Sequence, residues 1–189
     1  MNKIAISIFI PVYNEVDSIL RNIEILYNYL ERNKIFKGLN STYEIIIVDD
    51  NSNDGTFNEI KKLEQQYKYI TGLHYKSGPS RRENLARSFK EAKYDYILFM
   101  DSDLATDINA LPQLIDELKT YPIVIGSRYM ENSKIRRKLS RKIISYFYNR
   151  LIRFLFTSRI LDHQCGFKGF PDEGLKKYLL YFYYYRKNK

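Results

Sequence analysis

The sequence predicts an α/β fold with a mainly parallel sheet and helices on both faces. Two patterns support this prediction: short apolar segments alternate with segments of helical periodicity, and the apolar segments are nearly continuous rather than alternating. The chain has 189 residues, which is enough for one domain with a substantial core and too few for two. We therefore expect one domain that binds its ligands beyond the carboxyl ends of the strands.

Five segments have the short, apolar and β-branched composition of buried strands. Pro11 ends the first of them, and the third has the weakest pattern. The predicted strands are Ile4–Ile10, Tyr43–Val48, Ile70–Tyr75, Tyr94–Met100 and Ile123–Ser127.

Four helices are predicted between these strands. The first has apolar residues from Val16 to Leu30 at helical spacing. Asp54 is the predicted N-cap of the second, and Asp107 or Asn109 is that of the fourth. The predicted helices are Glu15–Glu31, a second from Asp54 to about Tyr67, Ser80–Ala92, and a fourth that ends near Lys119.

Polar clusters directly follow three of the predicted strands. The clusters read PVYNE (11–15), DDNSNDGT (49–56) and DSDLATD (101–107), while Ser127 and Arg128 follow the fifth strand. Because parallel strands end at the same edge of a sheet, these groups are expected to gather there.

Asp101 and Asp103 follow the apolar run YILFM and are two residues apart. Residues at this spacing project to the same side of an extended chain. Two converging carboxylates can hold Mg²⁺ or Mn²⁺ together with substrate phosphates, because both ions prefer oxygen ligands. The alternative is a pair of solvated loop aspartates, since D-x-D often occurs by chance.

Asp49 and Asp50 end the second predicted strand. A carboxylate at this place can accept the ring N–H of uracil or guanine, but an Asx-turn before the helix accounts for the same residues. Tyr13 can stack on a base or hydrogen-bond to it, whereas Glu15 can simply stabilise a helix N-terminus. The order of the three clusters along one edge favours a nucleotide site.

Five motifs, SIFIPVYNE, EIIIVDDNSNDGT, ILFMDSDLAT, VIGSRY and DHQCGFKGF, occur in this order. The chain thereby resembles the family 2 glycosyltransferases of GT-A (Rossmann-like) fold over residues 4–170, and more narrowly the polyprenyl-phosphate (dolichyl-phosphate) glucose and mannose synthases. The resemblance implies inverting transfer of a hexose from UDP-glucose or GDP-mannose to a lipid phosphate. A soluble or glycan acceptor is the alternative.

The resemblance also implies a role for each matching residue. The nucleoside would be held by Pro11, Tyr13, Glu15 and Asp50, with Asp49 beside them. Asp101 and Asp103 would bind the metal, Mg²⁺ or Mn²⁺, and the diphosphate. Arg128 would meet the phosphates or the sugar, and Asp162 with Lys168 would lie near the acceptor phosphate. Asp103, Arg128 and Asp162 are the predicted catalytic residues.

Two positions depart from the pattern of the family. Ala105 stands where some mannosyl synthases have a metal-binding Gln, so two carboxylates and water are expected to complete the metal shell. The loop KSGPSRREN lacks the usual N-x-G-K-G, which leaves Arg81 and Arg82 as its basic residues. Residues 1–131 are expected to form the nucleotide-sugar-binding core, and 132–189 a basic helix, the acceptor-side motif and a tail of the same domain.

The net charge of +9 lies in one segment, Asn132–Leu161, which has nine basic residues and no acidic one. Within it, Leu139–Phe156 predicts a helix with a narrow polar stripe of Lys142, Ser145, Asn149 and Arg153 and an otherwise apolar, aromatic surface. Such a helix, with the aromatic and basic tail Tyr178–Lys189, favours a membrane interface. The alternatives are a helix packed on the domain or in a dimer, and a nucleic-acid-binding block.

The expected location is cytoplasmic and peripheral, at the cytoplasmic face of a membrane. The single cysteine, Cys165, fits a reducing compartment, and neither a signal peptide nor a spanning segment is found in the sequence. No nucleic-acid partner is expected, because the arginines lie within a largely apolar helix. His74 is expected to be a surface or hydrogen-bonded histidine, and Cys165 a small buried residue.

Overall fold

The computed structural model describes residues 5–32, 42–80, 83–127, 139–158 and 160–172. Its strands are β1 Ala5–Val12, β2 Thr42–Asp49, β3 Ile70–His74, β4 Tyr96–Met100, β5 Val124–Ile125 and β6 Phe167–Pro171. Its α-helices are α1 Ile19–Arg32, α2 Thr56–Gln66, α3 Glu83–Ser88, α4 Leu111–Glu117 and α5 Leu139–Phe156, and two 3₁₀ turns cover Phe89–Glu91 and Ile108–Ala110.

The six strands form one sheet in the order β3-β2-β1-β4-β6-β5. β1 pairs in parallel with β2 and β4, and β2 pairs in parallel with β3. β6 is antiparallel to both β4 and β5. The chain thus builds outward from β1 in one direction and then crosses to its other side at β4, which creates a switch point between β1 and β4.

Apolar side chains on the two faces of β1 enter two separate cores. Ile6, Ile8 and Ile10 pack with α1, α2 and α4, whereas Phe9 packs with α3 on the other face. Residues of a strand alternate between the two faces of a sheet, so the continuous apolar run of β1 fills both cores. The predicted mainly parallel sheet with helices on both faces is confirmed.

The main difference from the predicted elements is β6, which the sequence analysis treated only as a motif. Phe167 and Gly169 are buried and Lys168 between them is less so, which is the period-2 pattern of a strand. The predicted strand Ile123–Ser127 is reduced to β5, but Gly126 N–H extends its pairing by donating to the Phe167 carbonyl at 2.8 Å. Of the helix predicted over Ser80–Ala92, the structure describes α3 from Glu83 and the 3₁₀ turn that ends at Glu91, and Ser80 N–H donates to Asp50 Oδ2.

Helix α5 has the predicted bounds, and its orientation is unusual. Asn149 of the polar stripe is buried and Ser145 is partly buried, whereas Arg153 and most of the apolar residues are exposed. Exposure reaches 64% at Phe147 and 82% at Phe154. Among the described residues, no helix combines the length and hydropathy that crossing a membrane requires. The boundary proposed at residue 131 and the tail Tyr178–Lys189 lie outside the described residues.

Candidate active site

Five motifs meet at one edge of the sheet. β1, β2 and β4 run in parallel and end there, so PVYNE, DDNSNDGT and DSDLATD lie side by side. β6 runs in the opposite direction, so it begins at this same edge, where the DHQCGFK motif (162–168) leads into it. β5 ends there with Gly126 and Ser127, which lead to Arg128. The predicted gathering of polar groups at one edge is therefore confirmed, although Arg128 itself lies outside the described residues.

The loops after β1 and β2 are joined by hydrogen bonds. Asn14 N–H donates to Ser52 Oγ at 2.9 Å, and Asn53 N–H donates to Asn14 Oδ1 at 3.0 Å. Glu15 N–H donates to the buried Thr56 Oγ1 at 2.8 Å. Asn14 adopts a φ of 53°, which asparagine tolerates better than most residues. The two loops therefore act as one rigid wall, from which Tyr13 projects into solvent.

Asp54 links the same two loops through its carboxylate. It accepts hydrogen bonds from Val16 N–H at 3.1 Å and from Thr56 N–H at 2.9 Å. The Thr56 hydroxyl, which also donates to it, is the main cause that lowers the pKa of Asp54. The predicted N-cap at Asp54 is shifted by one residue, because Gly55 occupies the cap position with a φ of 99°. Asp54 stabilises the helix start from just outside it.

Asp49 is fully buried and contacts His74. Its Oδ2 lies 2.6 Å from His74 Nδ1, and both oxygens lie 3.4 Å from Ser52 N. The His74 ring packs on Phe57 with centroids 4.6 Å apart. The expectation that His74 is a hydrogen-bonded histidine is confirmed. Through Ser52, the buried Asp49 helps to fix the loop after β2. The neighbouring Asp50 is only partly buried.

Asp50 holds the loop that precedes α3. Its Oδ1 accepts from Ser80 Oγ at 2.9 Å and from Asn84 Nδ2 at 2.6 Å, and its Oδ2 accepts from Ser80 N–H at 2.7 Å. The loop also lies close to the Asp50 backbone, because a Cβ on Gly78 would stand 2.2 Å from the Asp50 carbonyl oxygen. Only glycine fits there. Arg81 and Arg82 of the same loop lie outside the described residues.

Asp101 and Asp103 both have exposed side chains at the end of β4. Asp103 Oδ1 accepts from Ala105 N–H at 3.0 Å, and Leu104, which lies between Asp103 and Ala105 in the chain, has a φ of 48°. Asn22 of α1 donates to the Ser102 carbonyl at 3.0 Å and thereby fixes the turn. No group of three or more His, Cys, Asp or Glu suited to a metal is found in the described part of the chain. The metal prediction therefore depends on these two carboxylates.

Gly166 places the DHQCGFK motif against Asp101. Asp101 N–H donates to the Gly166 carbonyl at 3.0 Å, and a Cβ on Gly166 would stand only 1.6 Å from Asp101 Oδ2. Within the motif, Lys168 Nζ donates to the His163 carbonyl at 3.1 Å. Asp162 is 1% exposed, and its Oδ1 accepts from Gln164 N–H at 3.2 Å. Cys165 is buried, as expected.

Asn149 joins helix α5 to the DHQCGFK motif. This residue is 4% exposed, and its Oδ1 accepts from His163 N–H at 2.9 Å and lies 3.1 Å from His163 Nδ1. The other ring nitrogen of His163 lies 2.9 Å from Ser158 Oγ. Sequence reasoning placed Asn149 only in a polar stripe. The buried amide is what orients the helix, because a polar group removed from water needs a partner.

The chain is similar to curated glycosyltransferases. It is 30% identical to Glycosyltransferase AglD of Haloferax volcanii, covering 92% of this chain and 27% of that protein. It is 30% identical to a dolichyl-phosphate beta-glucosyltransferase of Trichomonas vaginalis, covering 92% and 55%. With the dolichol-phosphate mannosyltransferase of Pyrococcus furiosus the identity is 36%, covering 74% and 38%. The chain spans at most about half of these relatives.

Solved structures share the fold. The mannosyltransferase PcManGT of Pyrobaculum calidifontis, in complex with GDP-Man and Mn²⁺, matches with a TM-score of 0.63 at 18% identity, covering 93% of this chain and 47% of that one. Glucosyl-3-phosphoglycerate synthase of Mycobacterium tuberculosis, in complex with Mn²⁺, UDP-glucose and phosphoglyceric acid, matches with a TM-score of 0.62 at 18% identity, covering 89% and 57%. These likenesses confirm the predicted GT-A fold.

A family model agrees with the motifs. The model described as glycosyl transferase family 2 matches residues 7–179, which include every motif at the sheet edge. The chain therefore belongs to glycosyl transferase family 2.

Proposed function

We propose that the protein is an inverting, metal-dependent hexosyltransferase that moves a sugar from a nucleotide sugar to a lipid phosphate. The observation on which this proposal depends is the contact between Asp101 and Gly166. This contact brings the D-x-D motif and the DHQCGFK motif together at the end of β4. That end lies beside the switch point between β1 and β4. The dolichyl-phosphate relatives supply the acceptor class.

The nucleoside fits the wall formed by the first two loops. Tyr13 projects from the wall into solvent and offers an aromatic surface to a base. Asp50 is partly buried, and its two oxygens have about four lone-pair sites. The described residues fill three of these sites. The fourth suits the ring N–H of uracil or guanine, and Pro11 and Glu15 border the same wall.

The two exposed carboxylates of the D-x-D motif fit a divalent cation. Mg²⁺ commonly binds one or two protein carboxylates and takes its other ligands from water and phosphates. Asp101 and Asp103 match this need without a third protein ligand. Mg²⁺ or Mn²⁺ bound there would neutralise the charge that develops on the departing nucleoside diphosphate. The Mn²⁺ complexes of the structural neighbours support this choice of cofactor.

The acceptor side is formed by the DHQCGFK motif. A lipid phosphate is already an anion near neutral pH, so it can attack the anomeric carbon without a strong general base. Lys168 lies at this side, held by the His163 carbonyl, and supplies positive charge to the acceptor phosphate. Arg128 would act on the phosphates of the donor. A hydroxyl acceptor would instead need a base such as Asp162, whose burial and backbone contact disfavour that role.

Helix α5 supports a membrane-bound acceptor. Its outward face is apolar and aromatic, and the segment around it contains all nine units of net positive charge. Aromatic rings suit the headgroup level of a bilayer, and basic residues are attracted to anionic lipids. The occupant proposed for this face is therefore an anionic lipid surface. The protein would lie on the cytoplasmic face as a peripheral protein.

A transfer assay tests the proposal. The protein is incubated with vesicles containing a polyprenyl phosphate, Mn²⁺ or Mg²⁺ and each labelled nucleotide sugar, and label is measured in the lipid fraction. EDTA should abolish transfer, and Asp103→Asn should lower turnover by at least about 10²-fold, the usual cost of losing a key electrostatic contact. Asp107→Asn is the matched control, because Asp107 is exposed in the same loop and its side chain hydrogen-bonds only to Asn109 among the described residues.

Two results would contradict the proposal. Full transfer by Asp103→Asn or in EDTA would rule out the metal site at the D-x-D motif. Label in a water-soluble product, with none in lipid, would instead favour a soluble acceptor, the class of ligand bound by the phosphoglycerate synthase. Transfer from UDP-glucose but not GDP-mannose, or the reverse, would identify the donor.

A further inference from the structure

Asn84 is a buried polar residue that hydrogen-bonds to Asp50 of the proposed site. It lies in the first turn of α3, is 1% exposed, and donates from Nδ2 to Asp50 Oδ1 at 2.6 Å. This is the shortest of the three hydrogen bonds that the Asp50 carboxylate accepts from described residues. A buried amide with such a short bond to a carboxylate fixes the position of that carboxylate strongly.

The rest of the Asn84 side chain is also held. Its Oδ1 accepts from Ser77 Oγ at 3.2 Å and lies 3.5 Å from Arg87 Nη1, and its backbone N–H donates to Ser80 Oγ at 3.0 Å. Because an ionised carboxylate only accepts hydrogen bonds, the amide NH₂ must face Asp50. The network therefore allows one orientation of the Asn84 amide and one position of Asp50.

We propose that Asn84 is the positioning residue for recognition of the nucleotide base. It holds Oδ1 of Asp50, together with Ser80, so that the remaining acceptor site on Oδ2 is presented to a ring N–H. This inference rests on the proposed nucleotide-sugar donor. It also specifies the donor's base: uracil and guanine offer a ring N–H, whereas cytosine and adenine present a ring nitrogen acceptor that a carboxylate repels. The site should therefore select UDP or GDP over CDP and ADP.

A single substitution can make this positioning depend on pH. In Asn84→Asp two carboxyl groups would meet at hydrogen-bond distance, and like charges that close raise the pKa of one of them. When the introduced carboxyl is protonated, it can donate to Asp50 as the amide does. When it is ionised, it repels Asp50. Asp50 and Arg87 are the charged residues that contact the Asn84 side chain in the described part of the chain.

Calorimetry with UDP, GDP, CDP and ADP, in Mn²⁺ and without acceptor, measures the effect as the ratio of variant to wild-type affinity at each pH. Asn84→Asp should bind UDP or GDP roughly tenfold more weakly than wild type at pH 8 and recover most of this loss near pH 5.5, as expected for an unpaired polar contact. Asn84→Ala should stay weaker by a similar factor at every pH. Asn58→Asp, on the exposed side of α2, is the matched control and should bind like wild type.

The outcomes separate this inference from the proposed function. If wild type binds none of the nucleotides, the proposed donor is wrong. If wild type binds UDP or GDP and Asn84→Asp follows it at every pH, the positioning role is overturned. Equal binding of CDP or ADP would overturn the recognition of a ring N–H. If Asn84→Asp fails to fold in a thermal melt, Ser80→Ala, which removes another donor to Asp50, must weaken binding several-fold, and unchanged affinity would refute the role.

Discussion

Replacing Gly166 by alanine tests whether the acceptor-side motif and the D-x-D motif work as one site. A Cβ at this position would lie 1.6 Å from Asp101 Oδ2 and 2.1 Å from Asp101 Cγ. Ordinary van der Waals contact begins at 3.4 Å. The carboxylate and the new methyl group must therefore separate by about 1.8 Å, because overlap of this size is not tolerated.

The structure indicates which of the two groups would move. Gly166 is held by its carbonyl bond to Asp101 N–H, and the next residue, Phe167, is buried and paired with Met100. The Asp101 side chain, by contrast, is exposed at the surface. The carboxylate should therefore leave the position that a metal and a diphosphate require. A misplacement of about 1 Å can lower turnover by about 10²-fold, so Gly166→Ala should lower kcat by at least that factor.

The assay measures kcat and the concentration of Mn²⁺ that gives half-maximal transfer, together with a thermal melt. Gly169→Ala, three residues further along the chain within β6, is the matched control, because its Cβ would meet Leu118 and Leu114 at 2.6 and 2.7 Å rather than the site. Gly169→Ala should lower the melting temperature with little loss of kcat, whereas Gly166→Ala should lower kcat with little loss of melting temperature. Wild-type kcat and metal dependence in a folded Gly166→Ala protein would refute the reasoning.

Three further predictions concern the supports of the site. Asn149→Leu should raise the KM for the lipid phosphate with little change in the KM for the nucleotide sugar. Asn149→Asp keeps an acceptor for His163, so its KM for the lipid phosphate should return to near the wild-type value. Sedimentation with anionic vesicles should weaken with salt but persist in part, and should fall when three exposed apolar residues become Ser; these are Phe147, Leu151 and Phe154. Because the Thr56 hydroxyl lowers the pKa of Asp54 below 3.8, the part of the melting-temperature difference between wild type and Asp54→Ala that depends on the ionised carboxylate should be full above pH 3.8 and be lost as pH falls through the lowered pKa.

The parallel half of the fold could be predicted because its signals are local. β1, β2 and β4 are buried on both faces, so their apolar composition alone identifies them. Polar residues at their ends then meet by geometry. β6 could not be identified in the same way, because its sequence FKGFP contains a lysine, a glycine and a proline besides its two phenylalanines. Its direction depends on pairing with β4 across more than sixty residues of chain.

The site's supporting residues were missed for a related reason. Little in the local sequence distinguishes Asn84 or Gly166 from other asparagines and glycines. Their roles arise only when distant segments meet at Asp50 and Asp101. One local signal was available for Gly166, because a glycine within a motif of functional residues suggests a close approach of backbone. For Asn84 no local signal exists, since an asparagine near the start of a predicted helix has the same pattern whether it is exposed or buried.

The orientation of α5 has a consequence for the acceptor. The periodicity of its sequence defines a polar stripe and an apolar surface, but not which of them faces the domain. Asn149 faces inward and contacts His163, whose carbonyl holds Lys168. A large exposed apolar face in water marks a surface that binds a partner. If that partner is the bilayer, the Asn149 side chain joins the lipid-facing helix directly to the DHQCGFK motif. The phosphate of a membrane lipid would then reach Lys168 at the level of the headgroups, without leaving the bilayer.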